Sequence, residues 1–184
     1  MPALLLANSA LAGHGWQTYR NKEFSISVPA GWAINPTFED QGYAYAQGYP
    51  DDKLDGVAFT PDTDLDPGTN LRSDSSYIAV EILPAGRDCL ARNFLVDQPP
   101  DYFTREPEET PDYARIVSEP GDLWGVEEQV HIVSRAPCAA LHAYINYGQL
   151  DDDRRKTERP FDRARLEDLL ARIRRTLLIW KTKA

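Results

Sequence analysis

Between Phe24 and Val28, the apolar residues Phe24, Ile26 and Val28 alternate with Ser25 and Ser27. A period of two is that of a strand with one buried face. Asn21-Lys22 reads as the turn before it, with Trp16–Tyr19 as hairpin partner. Pro29-Ala30-Gly31 breaks the strand, and Trp32-Ala33-Ile34 begins another. Gly56–Thr60, Tyr77–Leu83, Tyr113–Ser118, Trp124–Ser134 and Ala139–Tyr147 read as further strands, the second of these rich in β-branched residues. The period changes near the end of the chain. Phe161, Leu166, Leu169, Leu170, Ile173, Leu177 and Leu178 recur at helical spacing, which predicts a long amphipathic helix over Phe161–Ile179. Asp162 lies near its start and Arg172, Arg174, Arg175 and Lys181 near its end, an order that complements the helix dipole. A shorter helix is predicted over Cys89–Leu95, capped by Asp88, with Leu90 and Phe94 inward.

The connecting segments Asn35–Asp55, Pro61–Ser76 and Val96–Pro111 are polar and rich in Gly, Pro or acidic residues. No repeat or interdomain linker interrupts the pattern. The expected fold is therefore α+β in a single domain over residues 13–184, with an antiparallel sheet packed by the long C-terminal helix and the shorter one.

Composition narrows the function. The 184 residues suit one domain. Asp and Glu number 29 against 20 Lys and Arg, a net charge of −9 that argues against general nucleic-acid binding. A hydrophobic fraction of 42%, with 10% aromatic residues, excludes wholesale disorder. No uncharged apolar run reaches the ~20 residues of a transmembrane helix. Met1–Ala12 carries no charge, and Ala10-Leu11-Ala12 fits the small-x-small pattern at a secretory cleavage site, so these residues read as the remnant of a signal peptide. The expected location is periplasmic or secreted. Cys89 and Cys138 are the only cysteines and sit in no Cys-x-x-Cys or Cys/His cluster. In an exported chain they read as one disulfide; the alternative is a pair of buried thiols.

The run Tyr19, Phe24-Ser25-Ile26, Val28-Pro29, Gly31-Trp32 resembles the opening hairpin of PsbP-like proteins. Gly56–Thr60, Gly68–Leu71, Ser73-Asp74 and Cys89–Leu95 resemble more specifically a group of uncharacterised secreted proteobacterial proteins of that kind. The resemblance implies an α/β/α sandwich and a role as a binding or assembly factor. It carries over no catalytic or metal-binding residue set.

Candidate chemistry is sparse. If four residues turn the last hairpin, Ser134 opposes Ala139, and that register sets His131 opposite His142. Two imidazoles on one face are a potential zinc or copper pair, with Glu127, Glu128 or a loop Asp as further ligands. They are also the candidates for a small hydrolase or a metal or ligand carrier. No Gly-x-Ser-x-Gly, His-Glu-x-x-His, Walker or dinucleotide-binding pattern occurs. Asp62–Asp66 imitates the start of a calcium loop but has Pro67 where the loop needs Gly and Ser73 where it needs Glu, so it reads as solvated turns, like Asp51-Asp52 and Asp151–Asp153. Tyr43, Tyr45, Tyr49, Tyr102 and Phe103 form a candidate aromatic recognition surface on the long loops. The expectation is a non-catalytic binding or assembly-accessory protein without cofactor, whose partner is a protein or cell-envelope component.

Overall fold

The computed structural model describes residues 15–40, 54–95, 108–118 and 124–180. Among the described residues, ten strands and one α-helix follow in the order β1 (Trp16–Arg20), β2 (Phe24–Pro29), β3 (Ala33–Asp40), β4 (Leu54–Thr60), β5 (Tyr77–Ile82), β6 (Glu108–Thr110), β7 (Tyr113–Ser118), β8 (Trp124–Arg135), β9 (Cys138–Gly148), α1 (Arg163–Thr176) and β10 (Leu178–Ile179). They form a three-stranded sheet in the order β1-β2-β10 and a seven-stranded sheet in the order β3-β4-β5-β9-β8-β7-β6. Every pairing between these strands is antiparallel. The architecture is α+β, as expected from the mix of periods. No helix among the described residues is long and apolar enough to cross a membrane.

The first hairpin forms where the alternation placed it. The Asn21 carboxamide accepts bonds from the backbone N–H groups of Glu23 and Phe24, both at 2.8 Å, and so closes the turn. Gly31 ends the hairpin with φ of +95°, and a Cβ there would lie 2.6 Å from the Asp62 carboxylate. Phe24, Ile26 and Val28 face α1, where Leu169 and Ile173 join them in one apolar cluster with Val57, Phe59, Ile78, Val80 and Leu141. The helix thus lies across one face of the large sheet while packing on β2. A second cluster on the opposite face joins Leu54, Leu83, Ala114, Val130 and Ala140 to Ala91 and Phe94.

Two helix expectations change. The element expected over Cys89–Leu95 is a 3-10 turn, Ala91–Phe94. Asp88 helps it through its backbone carbonyl, which accepts from the Asn93 carboxamide at 2.7 Å, rather than through a side-chain cap. Phe94 is buried as expected, but Ala91 and Asn93 rather than Leu90 are buried with it. The C-terminal helix is shorter than its apolar pattern. It starts at Arg163 rather than Phe161, and Asp162 caps it, the Asp162 side chain accepting from the Arg165 N–H at 3.1 Å. It stops at Thr176, whose hydroxyl accepts from Ser27 N–H and donates to backbone carbonyls. Leu178 and Ile179 then pair with Ser25 and Phe24, and the Trp180 N–H donates to Glu23 O at 2.7 Å. The open edge of β2 offers these residues backbone partners, and this outweighs continuation of the helix.

Cys89 and Cys138 are bonded, their Cα atoms 5.6 Å apart. The bond ties the segment before the 3-10 turn to the start of β9.

Replacing both cysteines by Ala should lower the unfolding free energy, measured in urea, by about 2–4 kcal/mol, the usual contribution of a disulfide. Ile173→Ala should cost about 2–5 kcal/mol as a core truncation. Leu178→Ala should cost less than about 1 kcal/mol, because Leu178 is 56% exposed on the edge strand and not on the buried helix face.

Candidate functional site

Strand β8 carries two consecutive, fully buried glutamates, Glu127 and Glu128. Neighbours on a strand point to opposite faces, so each carboxylate is enclosed on a different side of the sheet. An unpaired carboxylate in such a place is costly, so both need partners.

On the face away from α1, Glu128, His142 and Glu81 form a row across β8, β9 and β5. His142 Nε2 lies 3.2 Å from Glu128 Oε2, and its Nδ1 lies 3.3 Å from Glu81 Oε2. All three side chains have zero exposure. Burial by itself disfavours the imidazolium, but the Glu81 charge and the hydrogen bonds that the ring donates to both carboxylates outweigh it, so His142 titrates well above the usual histidine range. Tyr77 stacks on Tyr144 with centroids 5.1 Å apart and meets His142 edge-on. Gly56 leaves room for this row, because a Cβ there would press on Glu81 and Phe38. With both ring nitrogens committed to carboxylates, His142 is a strut between strands.

On the helix face, Glu127 Oε1 accepts from Arg115 Nε and from Gln129 Nε2, both at 2.8 Å. Its other oxygen is paired with Arg163 in the first turn of α1. A cation in the first turn opposes the helix dipole. Glu127 supplies the compensating charge and seats α1 against β8.

Beyond this cluster the helix face opens into a groove of about 400 Å³, lined on the sheet side by Tyr113, Arg115, Gln129, His131, Leu141 and Ala143. Glu167, Leu170, Ala171 and Arg174 of α1 form its other wall. Its volume falls in the range of small-ligand pockets. Arg174 Nη1 donates to His131 Nδ1 at 2.6 Å. The Tyr113 ring packs on the imidazole with centroids 4.7 Å apart. Burial and the Arg174 charge push His131 down to about 4, so the ring is neutral at physiological pH. Burial raises the Tyr113 phenol.

The expected pairing of His131 with His142 is corrected. Ser134 does oppose Ala139, but the register shifts between Ile132 and Ser134, leaving Val133 as an extra residue. His131 therefore opposes Leu141 and His142 opposes Val130. A slip of one residue sends the two imidazoles to opposite faces of the sheet, so they cannot share a metal ion or a substrate. No group of three or more metal-ligating side chains able to hold an ion occurs among the described residues. Tyr43, Tyr45, Tyr49, Tyr102 and Phe103 lie outside the described residues, as do Met1–Ala12 and Asp51-Asp52.

The acidic loop also departs from its reading as solvated turns. Asp66 is buried, accepts from Arg159 Nη2 and from the Asp162 N–H, each at 2.9 Å, and clamps the loop to the start of α1. Asn70 adds a bond to Gly148 O at 2.6 Å and accepts from the Phe161 N–H. In the sequence, Glu127 and Glu128 read only as further metal ligands and Arg174 only as a cation at the helix end, while Glu81, Tyr113, Arg115 and Gln129 have no site reading. A carboxylate in the middle of an otherwise apolar strand, as at Glu81 in YIAVEIL, was the available signal.

No protein family matches the chain, and no curated protein matches it. Among solved structures it is similar to the Saccharomyces cerevisiae Ran-binding protein Mog1p, with 10% identity over 90% of this chain and 96% of that one and a TM-score of 0.46.

The triad should make stability depend on pH with a defined sign. His142 is raised in the folded state, so its contribution is full below the unfolded value of about 6.5 and declines as pH rises through the folded value. Urea midpoints should therefore fall as pH is raised above neutrality. In Glu81→Gln/Glu128→Gln only the burial effect remains, and the dependence on His142 should reverse, with stability falling on acidification below about 6.5. Titration of the His142 ring followed by NMR gives the same comparison directly.

Proposed function

We propose that the protein is an exported, non-catalytic binding protein of PsbP-like α/β/α type, and that it holds part of a protein or cell-envelope component in the groove between α1 and strands β7 and β8. The groove itself carries this reading. It combines an apolar floor, Leu141 and Ala143, with polar groups already fixed by bonds among themselves: Arg115 to Glu127 and Arg174 to His131. Prearranged groups bind without a large ordering cost. The large antiparallel sheet, with α1 on one face and the 3-10 turn packed on the other, supports the PsbP-like kinship. The disulfide and the leader-like first residues support export. The hydrolase and metal-carrier readings required His131 and His142 together, and the β8 bulge separates them.

The test is to fill the groove. Purified protein immobilised against a cell-envelope extract should retain a component. Ala171→Phe, which places a ring in the groove from the helix side, should reduce that retention by about tenfold or more, the effect of losing a central contact. The thermal midpoint of the variant should stay close to that of the parent, since Ala171 is half-buried at the groove wall. Undiminished retention by Ala171→Phe would move the binding surface elsewhere.

A further inference from the structure

We propose that the groove is a carboxylate site, taking a single acid group attached to an apolar body, with the acid seated on Arg174. This rests on the groove reading above and adds the chemistry of its occupant.

The other guanidinium lining the groove, Arg115, already has Glu127 and Glu108, and Arg163 in the first turn of α1 has Glu127. Arg174 forms no ion pair among the described residues, and its hydrogen bond goes to the ring nitrogen of His131. Because the guanidinium can only donate, His131 Nδ1 must accept, and the ring carries its proton on Nε2. A neutral imidazole orients the cation without cancelling its charge. The low titration range of His131, caused by burial and by Arg174 itself, keeps the ring in that state through neutral pH. One N–H of Arg174 is used; the rest of its planar fork remains to match a carboxylate with two parallel bonds.

The rest of the groove limits the charge and shape of the ligand. Glu167 stands in the same wall, two turns before Arg174 on the same face of α1, and the Arg115 and Arg163 charges are met by Glu127 and Glu108 together. One effective positive charge beside a carboxylate suits a monoanion and disfavours a phosphate dianion. Below Arg174 the surface is apolar, made by Leu141, Ala143, Leu170 and Ala171. The body of the ligand lies there, and burial of its apolar surface supplies affinity while the acid fixes its direction. Two sources carry such a group, a free organic acid and the C-terminus of a polypeptide.

Calorimetric titration with phenylbutyrate and its primary amide tests the free acid. A short peptide ending in phenylalanine, with a free or an amidated C-terminus, tests the polypeptide. The expected result is saturable binding of at least one acid, with its amide weaker by about ten- to hundredfold, the effect of losing a charged hydrogen-bonded pair. The tighter of the two acids identifies the source. Arg174→Gln should abolish the difference between acid and amide. Arg174→Lys should restore part of it, and unchanged thermal midpoints in both variants would show that folding is intact. Inorganic phosphate should not compete. Acid and amide binding alike, an acid preference that survives in Arg174→Gln, or phosphate binding more tightly than either acid would overturn the proposal. Absence of binding by every acid would overturn it too. If Ala171→Phe still reduces retention of the envelope component in that case, the groove stands as the site and only the ligand class is wrong.

Discussion

Two carboxylates in succession on β8, each sealed on its own side of the sheet, set the terms for the rest of the molecule. Taking a carboxylate out of water costs several kcal/mol unless charge and hydrogen bonds compensate. Glu127 finds Arg115, Gln129 and Arg163, and in doing so brings the first turn of α1 onto β8. Glu128 finds His142, which in turn requires Glu81, and this aligns β8, β9 and β5. Neither group is needed for hydrophobic collapse. Their demands are directional, and they select one register and one seat for the helix from the many that apolar packing alone would tolerate.

The same demand shapes the groove. Arg115 is held in place by Glu127, so its side chain is a rigid wall and not a mobile surface cation. His131, two strand positions beyond Gln129, lies on the same face and receives Arg174 from the far end of α1. The helix is thereby fixed at its start by an ion pair and near its end by a hydrogen bond to a neutral ring. Between these two points its wall stands apart from the outer strands, which leaves an open space with apolar floor and polar rim.

Asp66 shows a related economy in the loop before β5. It joins Arg159 and the backbone at Asp162, so it ties the loop to the segment before α1 and to the helix start. The disulfide does the same for the segment before the 3-10 turn and the last hairpin. These polar and covalent ties lie at the margins of the apolar clusters, where burial alone specifies the chain path least.

Periodicity alone was enough to determine the existence and type of the main elements. The Phe24–Val28 alternation, the strands at Tyr77 and Trp124, and the helical stripe at Leu166, Leu169 and Ile173 all record which face of each segment leaves water, and that information is local. The cysteine count likewise pointed to one disulfide. What only tertiary structure decided were the features that depend on a distant partner. Leu178 left the helix because the edge of β2 was open beside it. The extra residue at Val133 reversed the facing of His131 relative to His142. Glu127 and Glu128 became anchors only once Arg163, Arg115, His142 and Glu81 stood opposite them. Apolar pattern reports that a side chain is buried. It does not report what meets a buried charge, because that partner comes from another strand or helix, and its position is settled by register and packing together.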